Sequence, residues 1–202
     1  MKTIPSTYEK ILTKIYDLGR GSVFTPAKFL TFGSRSAVDK ALSRLAQRRV
    51  IRRLAHGLYD YPKTHPQLGI LEPSTDDIVA TLAEAEKLKV QPSGAYAANL
   101  LGFSDQVPMK MVFLINGTPR RIIVGKREII LKRTSSRQME TAGRISGLVI
   151  QALKYLGKIH IDIELIKQLK NRLNPDDKKQ LIDAIGNAPG WMAIYLKDLA
   201  IT

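Results

Sequence analysis

The chain of 202 residues carries a formal net charge of +14, has a sequence pI of about 10.0, and contains no cysteine. The lack of cysteine excludes disulfides, zinc fingers and thiol catalysis, and the basic charge favours a polyanionic partner. There is no apolar run of about 18 residues that could span a membrane and no signal-peptide core near the N-terminus. We therefore expect a soluble, cytoplasmic protein.

The first predicted element is a helix that begins after Ser6 and ends before Gly19. A glutamate three residues after the serine completes the pattern of a capping box, and apolar residues recur on one helical face. Val23 and Phe24 can form a short strand. Thr25 followed by Pro26 then indicates the start of a short second helix.

A third helix, over residues 34–49, carries the strongest functional signal in the chain. Its apolar residues follow the i, i+3, i+4, i+7 rule and form one buried stripe: Val38, Ala41, Leu42 and Leu45. The opposite face carries hydrogen-bonding and cationic side chains and has no carboxylate near its centre. Such a face suits the major groove of DNA, where Arg, Lys, Ser and Gln reach base edges and phosphates. The alternative is an ordinary solvated surface helix.

Two short β-favouring runs, residues 50–54 and 58–61, follow the third helix and are separated by Ala-His-Gly. Gly57 can adopt the positive φ of a tight hairpin. Helix, short helix, turn, basic helix and hairpin are the elements of a winged helix-turn-helix domain, here over residues 1–62. This segment holds 12 Lys and Arg against 4 Asp and Glu, a net charge of +8. The predicted DNA-binding residues are Ser34, Arg35, Ser36, Lys40, Ser43, Arg44, Gln47 and Arg48 on the helix, and Arg52, Arg53 and His56 on the wing.

Residues 63–74 read as a linker, because this stretch is rich in proline and contains a glycine. The remainder, residues 75–202, predicts a mixed α+β domain with a small sheet and several helices, so the whole chain is expected to be α+β. A helix capped by Thr75 or Asp76 opens this domain. Strands are predicted over residues 109–115, 121–124 and 128–133, and helices over residues 75–88, 93–102, 141–156, 162–173, 175–185 and 191–199.

The last two predicted strands concentrate cations and suggest a second basic surface. A surface that binds an anionic ligand is one interpretation, and a solvated edge that discourages sheet aggregation is the other. The residues concerned are Arg120, Arg121, Lys126, Arg127, Lys132 and Arg133.

The sequence offers little for catalysis. His56, His65 and His160 are widely separated, and paired aspartates stand at predicted helix starts, where carboxylates stabilise the helix dipole. We expect no catalytic residues, no metal and no cofactor, so the protein is predicted not to be an enzyme. A metal-dependent nuclease with scattered carboxylates is the alternative from the enzyme class.

Three segments, residues 36–45, 56–62 and 92–103, resemble the AbiEi-like antitoxins of type IV toxin–antitoxin systems in bacterial abortive-infection operons. The third segment, Pro-Ser-Gly-Ala-Tyr-Ala-Ala-Asn-Leu-Leu-Gly-Phe, is the most telling. The resemblance implies a winged helix that binds inverted repeats in its own promoter and represses the operon; whether it binds DNA as a dimer is left open by the sequence. It also implies a C-terminal antitoxin domain that counters a nucleotidyltransferase-like toxin without forming a stable complex.

Two further functions stay open on the sequence alone. One is a binding module for structured or transfer RNA that uses the second basic surface. The other is a stand-alone winged-helix repressor without a toxin.

Overall fold

A helix, α1 (Thr7–Leu18), opens the computed structural model, which describes residues 5–201. Its N-cap is Ser6, whose hydroxyl accepts a hydrogen bond from the Glu9 amide, while the Glu9 carboxylate accepts one from the Ser6 amide at 2.7 Å. This reciprocal pair confirms the predicted capping box. The Ser6 amide and the Ser6 hydroxyl both donate hydrogen bonds to the Glu9 carboxylate, and these bonds hold the pKa of the Glu9 carboxyl below its ordinary value.

Two short elements follow α1, and after them comes the predicted basic helix. Strand β1 (Val23–Phe24) leads into a 3-10 helix (Pro26–Phe32), and helix α2 (Arg35–Gln47) comes next. Ser34 caps α2, as expected, because its hydroxyl accepts a hydrogen bond from the Ala37 amide at 3.3 Å. The whole predicted apolar stripe of α2 is buried.

Strands β2 (Arg52–Ala55) and β3 (Leu58–Asp60) form the predicted hairpin, with Gly57 in the left-handed region at a φ of 68°. β1 pairs antiparallel with β3, so the three strands make one sheet in the order β1-β3-β2. This sheet and the helices enclose a core. Its fully buried members include Ile11, Ile15, Phe24, Phe29, Val38, Leu42 and Leu45.

The predicted linker contains structure of its own. Strands β4 (Thr64–His65) and β5 (Gly69–Ile70) form an antiparallel pair, and helix α3 (Thr75–Glu86) follows. The N-cap of α3 is Ser74, one residue before the predicted cap, and its hydroxyl accepts a hydrogen bond from the Asp77 amide at 3.0 Å.

The chain divides into two compact units, and the division comes later than the predicted linker. The first unit runs to Leu88 and includes Ile123–Gly125, and the second takes the rest of the chain. Helix α3 therefore belongs to the first unit, whereas the sequence assigned it to the second domain. One reason is that the Thr81 hydroxyl on α3 donates a hydrogen bond to the Val23 carbonyl of β1 at 3.3 Å.

Four further strands are β6 (Val90–Ser93), β7 (Lys110–Ile115), β8 (Arg120–Val124) and β9 (Arg127–Arg133). They form a sheet in the order β6-β7-β9-β8, which belongs to the second unit except for the last two residues of β8. β6 pairs antiparallel with β7, and β7 pairs parallel with β9. β6 was not predicted from the sequence, while the other three strands lie within two residues of their expected bounds.

Six helices complete the described part of the second unit: α4 (Gly94–Leu100), α5 (Ser136–Met139), α6 (Ile145–Leu156), α7 (Ile163–Arg172), α8 (Pro175–Asp183) and α9 (Ala193–Ala200). All of them except α5 contribute residues to one apolar core. Contacts between α4 and α6, and between α8 and both α6 and α9, build this core around residues such as Leu153, Leu181 and Leu196. Trp191 and Tyr195 form a T-shaped pair, 6.2 Å between ring centroids, that packs against it.

The architecture is mixed α+β with small sheets, as the sequence predicts. Across residues 5–201, none of the helices has the length and apolar character needed to cross a membrane.

Candidate nucleic-acid interface

Helix α2 turns its polar face outward. Because its apolar stripe is buried between α1 and the 3-10 helix, the side chains on the opposite face are left in solvent. The structure therefore places together, on one exposed helical surface, most of the residues predicted to contact DNA. Those that are exposed on α2 are Arg35, Ser36, Lys40, Ser43, Arg44 and Gln47.

The N-terminal end of α2 holds an ion pair. The Arg35 Nε donates to both carboxylate oxygens of Asp39, at 3.0 Å and 2.8 Å, one helical turn further along. Ser34 is occupied in capping the helix, so its hydroxyl has a structural role at this end.

The β2–β3 hairpin lies beside α2 and contributes two further predicted residues. Arg53 is exposed on β2, and its Nη2 is 3.0 Å from the Nδ1 of His56 in the turn. The strand register shifts by one residue between Arg53 and Ala55, which changes the side-chain alternation near the tip of the hairpin.

A groove of about 550 Å³ runs between α2 and the hairpin. It is lined from the helix side by Arg35, Asp39, Ser43 and Gln47, and from the hairpin side mainly by Arg53 and His56. Among its described lining residues, the groove thus combines two arginines, one histidine, two neutral hydrogen-bonding side chains on the helix and one carboxylate. Hydrogen-bonding side chains on a helix beside cations on a hairpin can engage base edges and phosphates together.

Arg52 does not lie on this surface, contrary to the prediction that it would reach the DNA backbone. Its Nε and Nη2 donate to the two carboxylate oxygens of Asp60 at 3.0 Å and 2.5 Å. Its Nη1 donates to Glu72 at 3.2 Å, and Nη2 also donates to the Leu71 carbonyl at 2.9 Å. The hydrogen bonds to Asp60 raise the pKa of the Arg52 guanidinium. Arg52 is therefore a structural cation that ties the hairpin to the segment before α3.

Arg48, at the end of α2, faces α1. Its Nη1 donates to the Tyr8 hydroxyl at 3.2 Å, and the guanidinium lies 5.6 Å from the centre of the Tyr8 ring. The side chain stays exposed, so it combines this packing role with a place at the edge of the predicted interface.

The six cations of the second basic surface do not share one face of the sheet. Arg121 pairs with Glu128 at 2.8 Å, and both project from the face opposite the buried Ile129 and Leu131. Lys132 shares the face of Glu128, whereas Arg127 and Arg133 alternate onto the face of the buried pair. Lys126 lies in the turn, and Arg120 and Arg127 are half-buried. The predicted single basic surface is thus divided.

The other two histidines have local roles. The Nδ1 of His65 accepts hydrogen bonds from the amides of Gln67 and Leu68 at 3.2 Å and 3.3 Å, and that of His160 lies 3.1 Å from the Leu156 carbonyl. Within the described residues 5–201, no three His, Asp or Glu side chains converge in a way that could hold a metal ion.

No curated protein matches the chain. The profile of a family of unknown function, DUF6088, matches residues 10–181, which takes in α2, the hairpin and most of the second unit. The chain therefore belongs to the DUF6088 family.

Proposed function

We propose that the first unit binds duplex DNA as a winged helix-turn-helix domain, with α2 in the major groove and the β2–β3 hairpin on the neighbouring backbone. The observation that carries this proposal is the exposed polar and cationic face of α2, which continues across the groove to Arg53 and His56. An α-helix with its side chains is about 10–12 Å wide, and the major groove is about 12 Å wide. The helix is therefore of the right size to enter it.

A sequence-specific DNA-binding protein must read base edges and must also hold the phosphate backbone, and different residues of the first unit suit each task. Lys40, Ser43, Arg44 and Gln47 project from the middle and last turn of α2, where side chains of this kind hydrogen-bond to base edges. Arg53 lies on the hairpin, where a cation would contact phosphate and fix the register without reading sequence. The net charge of +8 over residues 1–62 supplies the salt-dependent part of the affinity.

The resemblance to AbiEi-like antitoxins extends the proposal to a biological role. We propose that the protein represses its own operon and counters a nucleotidyltransferase-like toxin encoded beside it, acting without a stable complex. The full chain with Lys40→Ala and Arg44→Ala separates the two activities, because it loses the helix contacts and keeps the second unit intact. If this variant no longer represses but still protects cells, the two activities are distinct. If it loses both, protection works through transcription.

The RNA-binding alternative has less support. Sequence-specific recognition of structured RNA mostly targets single-stranded loops, whose bases stack on exposed aromatic side chains. The one aromatic residue on strands β6 to β9 is Phe113, which is buried against Tyr96. The division of the basic residues between two faces also removes the continuous cationic track that an RNA backbone would follow.

Footprinting the full chain on the DNA upstream of its own gene tests the proposal. We expect protection of a defined site, and at least about tenfold tighter binding to that site than to a shuffled duplex of equal length. The variant with both Lys179→Ala and Lys197→Ala is a matched control for the variant with both Lys40→Ala and Arg44→Ala. It removes the same positive charge, but from exposed positions of the second unit. Equal affinity for the upstream and shuffled duplexes would contradict sequence-specific binding.

A further inference from the structure

The ion pair at the start of α2 leaves one side of the Arg35 guanidinium unused. Nε is committed to both oxygens of Asp39. In the described part of the chain, the two terminal nitrogens, Nη1 and Nη2, have no hydrogen-bond partner. The side chains of Arg35 and Asp39 are 63% and 46% exposed, so the pair stands in solvent at the end of the helix.

The free end of this guanidinium has the geometry for one kind of acceptor. Nη1 and Nη2 carry donors in one plane, and guanine presents O6 and N7 side by side in the major groove, which is the most frequent partner of arginine there. In helix-turn-helix proteins, the N-terminal residues of the recognition helix contact the base edges. Arg35 is the first residue of α2, so it occupies the corresponding position.

Asp39 also changes what the groove will accept. Among the described residues that line the groove, Asp39 is the one with a side-chain carboxylate, and it shares that lining with Arg53 and His56. A carboxylate repels phosphate, so it lowers affinity for every duplex regardless of sequence. This uniform penalty cancels when two sites are compared, so Asp39 increases the difference in affinity between correct and incorrect sites only by aligning its neighbour for one base.

We propose that Arg35 reads a guanine in the DNA site and that Asp39 is the positioning residue that holds the guanidinium end-on to that base. This inference rests on the proposed DNA binding and deepens it by naming one base of the site. The competing explanation is an ordinary pair between residues one turn apart, which contributes only marginally to helix stability. The two explanations differ in their effect on base preference.

Selection of binding sites from a library of randomised duplexes, with the full chain, tests the proposal. The wild type should enrich a site that contains an invariant guanine under the start of α2. Asp39→Asn and Arg35→Lys should each lose the preference at that position and keep the rest of the site. Arg35→Lys keeps the positive charge. If this variant loses the preference for guanine, the preference therefore depends on the planar, two-pronged guanidinium rather than on charge alone.

Affinities for two defined duplexes make the test quantitative. Changing the guanine to adenine should weaken wild-type binding by at least about tenfold and weaken binding of Asp39→Asn by less than about threefold. Asp39→Asn should also bind a random duplex more tightly, because it removes a negative charge from the groove. Asp17→Asn, the same change at an exposed position of α1, is the control and should behave as wild type. Melting temperatures establish that each variant is folded.

The outcomes separate the inference from the proposed function. If the wild type enriches no sequence, specific DNA binding fails and the inference fails with it. If the wild type enriches a site but Asp39→Asn and Arg35→Lys select the same guanine as strongly, DNA binding stands and the reading of guanine by Arg35 is overturned.

Discussion

Replacing Arg52 with alanine should destabilise the first unit far more than the same change at its neighbour Arg53. Arg52 makes four hydrogen bonds, two of them to Asp60, whose side chain is only 1% exposed. Without Arg52, the Asp60 carboxylate would stay buried with its charge uncompensated. Arg53 is exposed, and its one side-chain hydrogen bond in the described residues is with His56.

The expected magnitude follows from the burial of each partner. Removing one member of a buried ion pair costs about 3–5 kcal/mol. Because the Arg52 side chain is 26% exposed, water partly compensates, and we expect about 2–3 kcal/mol. The contact with Glu72 is more open, at 42% exposure, so Glu72→Gln should cost less than about 1 kcal/mol. Arg53→Ala should stay within about 0.5 kcal/mol of wild type.

Amide hydrogen exchange of β2 and β3 is the suitable assay, since the single tryptophan, Trp191, lies in the second unit and does not report on the first. A loss of 2–3 kcal/mol accelerates exchange by about 30- to 150-fold. Hairpin amides that exchange no faster in Arg52→Ala than in Arg53→Ala would refute the structural role of Arg52. DNA binding gives the reverse pattern: Arg53→Ala should lower the salt slope by about one, and Arg52→Ala should leave the slope unchanged.

Three further predictions follow from other parts of the chain. Lys40→Ala and Arg44→Ala should each weaken binding to the protected site by about 1–3 kcal/mol in fluorescence anisotropy, and wild-type affinity in the double variant would contradict the role of α2. Gly147→Ala should destabilise the second unit by about 1–3 kcal/mol, because its Cβ would overlap the backbone carbonyl oxygen of Thr141 and the side-chain oxygen of the buried Gln91. Urea unfolding followed by tryptophan fluorescence measures this, and Gly186→Ala, which meets open space, is the control. The lowered pKa of Glu9 means that the α1 capping box stabilises the fold above pH 4.5 and is lost as the pH falls through the lowered value. First-turn amides should therefore lose protection in acid, and unchanged protection there would refute this.

Local signals in the sequence were enough to predict the helices of the first unit. The capping box at Ser6, the Ser34 cap and the apolar stripe of α2 are interactions within one element, so spacing alone reveals them. The outward face of α2 was predicted for the same reason. Once the apolar stripe marks the buried face of α2, the residues on the opposite face of the helix must be the exposed ones.

Features that depend on pairing between distant segments were not predictable in this way. Strand β6 contains Pro92 and is only four residues long, and it is a strand because residues 112–115 of β7 pair with it. It lies at the edge of its sheet, where proline is tolerated. No local pattern marks such a strand.

The role of Arg52 was missed because it depends on a single register shift. Ala55 pairs with Leu58, and a regular hairpin would then place Arg52 opposite Tyr61. The irregularity between Arg53 and Ala55 moves the register by one residue, so that Arg52 instead faces Asp60. Asp60, a carboxylate shortly after the turn, was the signal in the sequence that a cation on the hairpin could be paired. That its partner is Arg52 could be identified only once the irregularity in the strand register was known.

Chemical-shift mapping of the backbone amides, during titration of the full chain with a duplex containing its protected upstream site, tests the central claim most directly. We predict that the largest changes fall on the outer face of α2, at Arg35, Lys40, Ser43 and Gln47, and at His56 in the hairpin turn. Large changes confined to β8 and β9, with α2 unaffected, would contradict the assignment of α2 as the DNA-binding helix.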